Sequence, residues 1–242
     1  MPPETLIILA VFLVAVLYSS VGHGGASGYL AVLALLAVAP EVSRPTALVL
    51  NLFVASIAFI QFYRAGNFDW KVFLPFAAAS VPAAFVGGMI HLPTTAYKIM
   101  LGVTLILAAI RLAINLKSET EPNPPKVGIC LMIGAILGLV SGLIGVGGGI
   151  FLTPILLLTN WTTTKKAAGI SALFILVNSI SGLLGNRAQV LELPATIWIW
   201  ITAAILGGVI GATVGSYRFN SLTLRRVLAF GLLIAGVKLI FT

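Results

Sequence analysis

An all-α polytopic membrane helix bundle is the fold class that this sequence predicts, and three observations carry the prediction. Of 242 residues, 60% are hydrophobic and only 8% are charged, against about 25% charged in a soluble domain. The apolar residues fall in long runs, at 6–21, 46–63, 72–90, 99–116, 127–144, 167–184, 195–214 and 227–241, most near the roughly 20 residues a spanning helix needs. The runs are continuous rather than alternating every second residue, which selects helices over a closed barrel.

The elements follow in chain order. Residues 1–4 read Met-Pro-Pro-Glu, with no positive region, and no small-x-small cleavage site follows the first run, so 6–21 is expected to be a retained helix rather than a signal peptide. Each half then holds five apolar segments, at about 5–21, 26–39, 46–63, 72–90 and 96–116, and at about 127–144, 150–159, 167–184, 195–217 and 222–241. Between the halves lies KSETEPNPPK, residues 117–126, the one strongly polar and proline-rich stretch. The expected organisation is a first repeat over 1–116, a linker over 117–126 and a second repeat over 127–242.

The two halves resemble each other. Gly22-His23-Gly24-Gly25-Ala26 and Gly145-Val146-Gly147-Gly148-Gly149 each follow an apolar helix and precede a short apolar segment. A basic loop comes next, holding Arg44 in one half and Lys165-Lys166 in the other; Gly88 matches Gly215, Lys98 matches Arg225, and Arg111 matches Lys238. Such duplication is a signature of transporters. The second segment of each half is short: 14 residues reach about 21 Å as a helix, less than a bilayer core of about 30 Å. Either it crosses with help from its flanks, or it forms a re-entrant pair with the first. Basic residues favour crossing. Five crossings per half put ten Lys and Arg on one side and four on the other, whereas the re-entrant alternative splits them seven to seven. Odd crossings per half imply inverted repeats, with Lys165, Lys166 and the linker cytoplasmic and both termini outside.

Composition also limits function. The net charge of +8 comes with no basic cluster interleaved with exposed aromatics, so it reads as loop topology and not as nucleic-acid binding. The single cysteine, Cys130, lies in an apolar run as a small packing residue. All six carboxylates (Glu4, Glu41, Asp69, Glu119, Glu121 and Glu192) fall in predicted loops or termini. This argues against a cation as the main cargo and removes the acid–base pair of an intramembrane enzyme. His23 and His91 do not share a metal-site spacing. No catalytic residue, cofactor or metal is expected.

The glycine clusters are the candidate site. Three consecutive glycines at 147–149 break a helix, and free N–H groups at the start of the following helix suit an anion. Neither copy continues to Gly-Lys-Ser/Thr, so a P-loop is excluded. Gly134, Gly138 and Gly142, and Gly207, Gly211 and Gly215, recur every fourth residue and read as close helix packing. Asn51, Asn178 and Ser181 lie inside apolar runs, where an amide could line a pore or bond another helix. The expected substrate-binding set is Gly22, His23, Gly24, Gly25, Ser27, Asn51, Gly145, Gly147, Gly148, Gly149, Ser171 and Asn178.

The duplicated glycine pattern, above all Ser141-Gly142-Leu143-Ile144-Gly145-Val146-Gly147-Gly148-Gly149-Ile150-Phe151-Leu152-Thr153-Pro154, resembles the TauE/SafE sulfite-exporter family, also called the toluene sulfonate uptake permease family. The first half departs from it, with Ala26 for the last glycine and Ala31 where the second half has Pro154. The resemblance implies a prokaryotic inner-membrane permease for sulfur-containing anions such as sulfite, sulfoacetate or other organosulfonates. The expected function is thus secondary transport of a small anion by alternating access. The alternatives are transport of another small anion or metabolite, and a non-transport membrane assembly protein.

Overall fold

The structure is a computed structural model that describes residues 4–20, 25–113, 123, 125–217 and 221–241. Among them lie eleven helices: α1 Glu4–Ser20, α2 Ala26–Leu35, α3 Pro40–Arg64, α4 Trp70–Met89, α5 Thr94–Ala113, α6 Val127–Ile144, α7 Gly149–Leu158, α8 Thr164–Gly185, α9 Arg187–Leu191, α10 Ile197–Tyr217 and α11 Ser221–Phe241. The ten long segments are those expected, and α9 is an additional single turn. Five helices (α3, α4, α5, α6 and α8) are long and apolar enough to cross a membrane whole, and α1, α2, α7 and parts of α10 and α11 are shorter apolar pieces. Large apolar side chains along the outer helices, such as Leu74, Ile136, Leu206 and Phe230, are exposed. Lipid is the medium that covers them, since bilayer-facing helices need no polar surface.

Glycine sets the packing. On α6, a Cβ at Gly134, Gly138 or Gly142 would run into the carbonyl oxygens of Phe76, Ser80 and Ala84 on α4. On α10, a Cβ at Gly207 or Gly211 would meet those of Phe12 and Val16 on α1. Backbones in these two seams touch directly, as the four-residue spacing predicts. The seams cross the halves: the first helix of each half packs on the fourth helix of the other.

The same contacts give the chain directions. Rising residue numbers match along α4, α6 and α8, because Gly138 lies on Ser80 and Gly142 on Ala84, while Ser181 bonds Val81 O and Gly185 lies on Gly88. These three helices run parallel. Leu48 meets Gly182, Asn51 meets Ser179 and Phe62 meets Gly169, so α3 runs against α8. Gly102 and Ile106 meet Gly236 in the opposite order, so α5 runs against α11. Following the chain, α1 starts and α11 ends at one end of the bundle, the upper end, while α5 ends and α6 begins at the lower end. Arg64, Lys71, Lys126, Lys165 and Lys166 lie at the lower end, where Lys166 Nζ is 3.8 Å from Asp69 Oδ2. Phe59, Tyr63, Phe68, Trp70 and Phe73 form a linked aromatic cluster there, with Phe68 and Trp70 centroids 4.9 Å apart. Aromatics of this kind suit a membrane–water interface.

Two buried apolar clusters fill the interior. One joins α1, α2, the middle of α3, α5, α10 and α11; the other joins α4, α6, α7 and α8. Val146 and Ile150 belong to the first cluster and Leu152 and Leu156 to the second. The α6–α7 joint therefore lies where the two meet.

Candidate functional site

The joint is built from both helix ends. Helix α6 stops because Gly145 adopts φ +87, a left-handed turn open to glycine, and its N–H bonds Ser141 O at 2.8 Å. Gly147 and Gly148 keep φ of +77 and +76, and Gly148 caps α7. The N–H groups of Val146, Gly147, Gly148, Gly149 and Ile150 meet no acceptor among the described residues. The first helical turn leaves its donors unbonded in this way, and the positive end of the α7 dipole faces the same loop.

Other helices close around these donors. A Cβ at Gly147 would lie 2.9 Å from Asn51 Nδ2 on α3 and 3.3 Å from Ser179 Oγ on α8. At Gly148 it would meet Phe174 at 2.9 Å and Ser141 Cβ at 3.4 Å, and at Gly149 Ser171 O at 3.0 Å. Asn51 is buried, donates weakly to Ser179 Oγ at 3.5 Å, and leaves Oδ1 without a partner. Asn178 is fully buried, and neither amide atom has a partner among the described residues. It lies one turn from Phe174, which meets Gly148, and one turn from Gly182, where an added Cβ would lie 3.6 Å from Gly142 Cα, so it shares the α8 face turned to α6. Ser141 Oγ is likewise buried and unpartnered. An unsatisfied buried polar group costs about 1–3 kcal/mol, and such groups cluster where a protein needs them for something other than stability.

The expected residues divide accordingly. Asn51, Gly145, Gly147, Gly148, Gly149, Ser171 and Asn178 meet around one joint. Ser171 Oγ is 2.7 Å from Thr153 Oγ1, which donates to Gly149 O at 3.1 Å, so it braces α7 from the side. Ser27 pairs with Tyr18 Oη at 2.9 Å within the α1–α2 hairpin, and Gly25 caps α2 at φ −82. Gly22, His23 and Gly24 lie outside the described residues.

Sequence reasoning placed Arg44 in a basic loop; it is a buried residue of α3, 4% exposed. Its guanidinium donates to Gly142 O at 3.0 Å, Ile90 O at 3.0 Å, and Gly87 O and Gly88 O at 2.8 Å. Tyr97 Oη adds a bond to Ile144 O at 3.2 Å. The C-terminal carbonyls of α4 and α6, left open by helix geometry, are closed by one cation and one phenol. The sequence signal was that Arg44 stands opposite an alanine, Ala167, in the other half, so it is not merely a topological charge. Ser141 and Ser179 were also missed as site residues; both are small hydroxyls on helix faces that the glycine loop touches.

A multi-pass integral membrane protein results, whose buried polar centre holds no carboxylate among the described residues; Glu4 and Glu41, expected in a terminus and a loop, are exposed residues in the first turns of α1 and α3, where a carboxylate faces the positive helix end. The family model described as "Sulfite exporter TauE/SafE" matches residues 7–239, and the chain belongs to this family. It is 39% identical over 238 residues to "Probable membrane transporter protein y4hK" of Sinorhizobium fredii strain NGR234, covering 96% of each chain. It is 25% identical to the similarly named YjnA of Bacillus subtilis strain 168, covering 97% of this chain and 98% of that one. To YdhB of the same organism it is 26% identical, covering 98% and 100%. No solved structure matches. The chain is a membrane transport protein of the prokaryotic inner-membrane type.

Proposed function

We propose that the chain is a secondary transporter for small sulfur-containing anions, such as sulfite, sulfoacetate or other organosulfonates, and not an enzyme. It works by alternating access between two inverted repeats. The observation that carries this reading is the α6–α7 joint: five backbone N–H groups that meet no acceptor among the described residues, beside the amide of Asn178, unpartnered among them too. The nearby guanidinium of Arg44 spends its donors on four carbonyls, so the open donors at the joint are neutral. The inverted repeat is supported by the pairing of like with like. The third helices of the two halves, α3 and α8, run against each other, as do the fifth, α5 and α11. A two-fold axis lying in the membrane plane gives that arrangement, and an axis along the membrane normal does not. The family description and the absence of a buried carboxylate among the described residues support an anion as cargo.

The test is binding to purified protein across sulfite, sulfate, thiosulfate, sulfoacetate and carboxylates, read as ligand-dependent thermal stabilisation, followed by flux in proteoliposomes. Asn178→Ala should fold and lose roughly tenfold in affinity. Parent protein that responds to none of the anions, or responds best to a cation, sinks the reading.

A further inference from the structure

The 145–149 loop lies between helix ends of opposite sign. Helix α7 turns its positive N-terminus to the loop, and α6, closed by Gly145, turns its negative C-terminus to the same place. Helix α4 ends beside α6: a Cβ at Gly87 would run into Leu139 O and lie 3.1 Å from Gly142 Cα. A helix end is worth about half an elementary charge, so the carbonyl ends of α4 and α6 together carry about one negative charge. An anion at the loop donors meets that charge as well as the attraction of α7.

Arg44 stands on those ends. Its guanidinium takes Gly142 O of α6 and Gly87 O and Gly88 O of α4, with Ile90 O just beyond. Its stem reaches the loop, since a Cβ at Gly145 would lie 3.0 Å from Arg44 Cγ. Hydrogen bonding alone does not call for a cation here. A neutral donor can close a carbonyl, as Tyr97 Oη does for Ile144 O, and a buried cation without a carboxylate is costly. Among the described residues no carboxylate pairs with Arg44. Glu41, one turn earlier on α3, is near enough to act on Tyr97, but it is exposed, where water and salt screen it. One guanidinium charge matches the two helix ends that it ties.

We infer that Arg44, with Tyr97, is a positioning pair that cancels the negative ends of α4 and α6, so that the open N–H groups of the 145–149 loop meet an anion with the α7 dipole unopposed. This deepens the anion reading of the joint and rests on it. Arg44 touches no ligand; it sets the charge that the site tolerates. Its effect grows with the charge of the ligand, so a doubly charged anion depends on it more than a singly charged one.

The test measures binding to Arg44→Gln, Arg44→Lys and Tyr97→Phe, each checked for folding. Hydrogensulfite at mildly acid pH and sulfite at mildly alkaline pH supply one ligand in two charge states, and each loss is taken against the parent at the same pH. Arg44→Gln should weaken hydrogensulfite about tenfold and sulfite about a hundredfold. Arg44→Lys should bind both within about threefold of the parent, yet melt lower, because an ammonium has three donors for four carbonyls. Tyr97→Phe, which keeps Arg44, should weaken sulfite about threefold and decides the matter where Arg44→Gln gives no folded protein. Equal losses in the two charge states, no rescue by lysine, or an unchanged sulfite affinity in the folded variants overturns the proposal.

A second readout needs no ligand. In a Cys130→Ala background, Ser141→Cys puts a thiol where a Cβ at Gly148 would lie 3.4 Å from its Cβ. Its thiolate is a built-in anion, read by ultraviolet absorbance. Arg44→Gln should raise the pKa of that thiol by about one unit, and Arg44→Lys should leave it unchanged. A thiol that ignores Arg44→Gln also overturns the proposal. A parent that binds no sulfite, with a thiol that moves, removes the transport reading and leaves the role of Arg44 standing. A parent that binds sulfite, with a thiol and affinities that ignore Arg44, does the reverse.

Discussion

The two halves of the chain build the same backbone contacts with different residues. Helix α2 ends with Val38 N–H on Leu33 O and Ala37 at φ +56; α7 ends with Trp161 N–H on Leu156 O and Asn160 at φ +53. One constant offset relates these residues, and the same offset pairs Gly25 with Gly148 and both ends of α2 with those of α7. The seams repeat as well, yet the glycines change sides, from α6 in one to α10 in the other. A close approach needs one partner without a Cβ, and either helix can supply it. What differs outright is the cap of the short helix, Gly25 at φ −82 against Gly148 at φ +76, and Arg44, which stands opposite Ala167. Geometry common to both halves serves the scaffold, and features found in one half point to the working site.

The largest difference to break is Arg44. Arg44→Met leaves four buried carbonyl bonds unmade and should cost about 3–5 kcal/mol. Ala167→Gly at the matching position should cost only about 1 kcal/mol. Thermal melting in detergent measures both, and equal losses would remove the distinction. The seams come next. Gly138→Leu and Gly211→Leu should each cost about 1–3 kcal/mol through overpacking, read as folded yield and melting temperature. A large loss in one seam alone would mean that the two are not the same contact.

The joints sharpen the comparison. Gly148→Val forces a β-branched residue to positive φ and should lower anion affinity ten- to a hundredfold. Gly25→Val, at φ −82 and against the movable ring end of Tyr29, should lower it less. Binding of the same anion to both variants, each checked for folding, decides this; equal affinities would make the 145–149 loop a packing element. The smallest effect is at the exits. Ala37→Gly relieves a left-handed alanine and should stabilise by about 1 kcal/mol, whereas Asn160→Gly should gain less, because asparagine tolerates that conformation. Denaturation in detergent would show whether the order reverses.

Most of the scaffold was legible because hydrophobic length and glycine spacing are local signals. Helix α6 falls at 127–144 as read, and the seam glycines pack as their four-residue spacing implies. Helix α9 was not legible, being too short to leave a periodicity. The partner exchange that sets α6 on α4 and α10 on α1 was hidden too, since spacing identifies a packing face but not what it meets. At the site, the loop glycines, Asn51 and Asn178 could be read as polar or helix-breaking anomalies in apolar runs. Arg44 could not, since its role depends on carbonyls far away in sequence, and its neighbours Pro40 and Pro45 look like loop residues while lying inside α3. The pairing of the Ser27 hydroxyl with Tyr18 was hidden for a similar reason.

The crossed seams bear on how the protein is made. Helix α1 packs along α10, so its partner is synthesised only after the eight helices between them. Until then the carbonyls of Phe12 and Val16 face lipid or a chaperone instead of Gly207 and Gly211. The earlier seam, α4 with α6, can close while synthesis is still under way. Assembly is therefore staged, with a nucleus around α4, α6 and α8 that waits for the C-terminal helices to capture α1. A chain truncated before Ile197 would leave α1 with its α2 contacts and without the seam on α10.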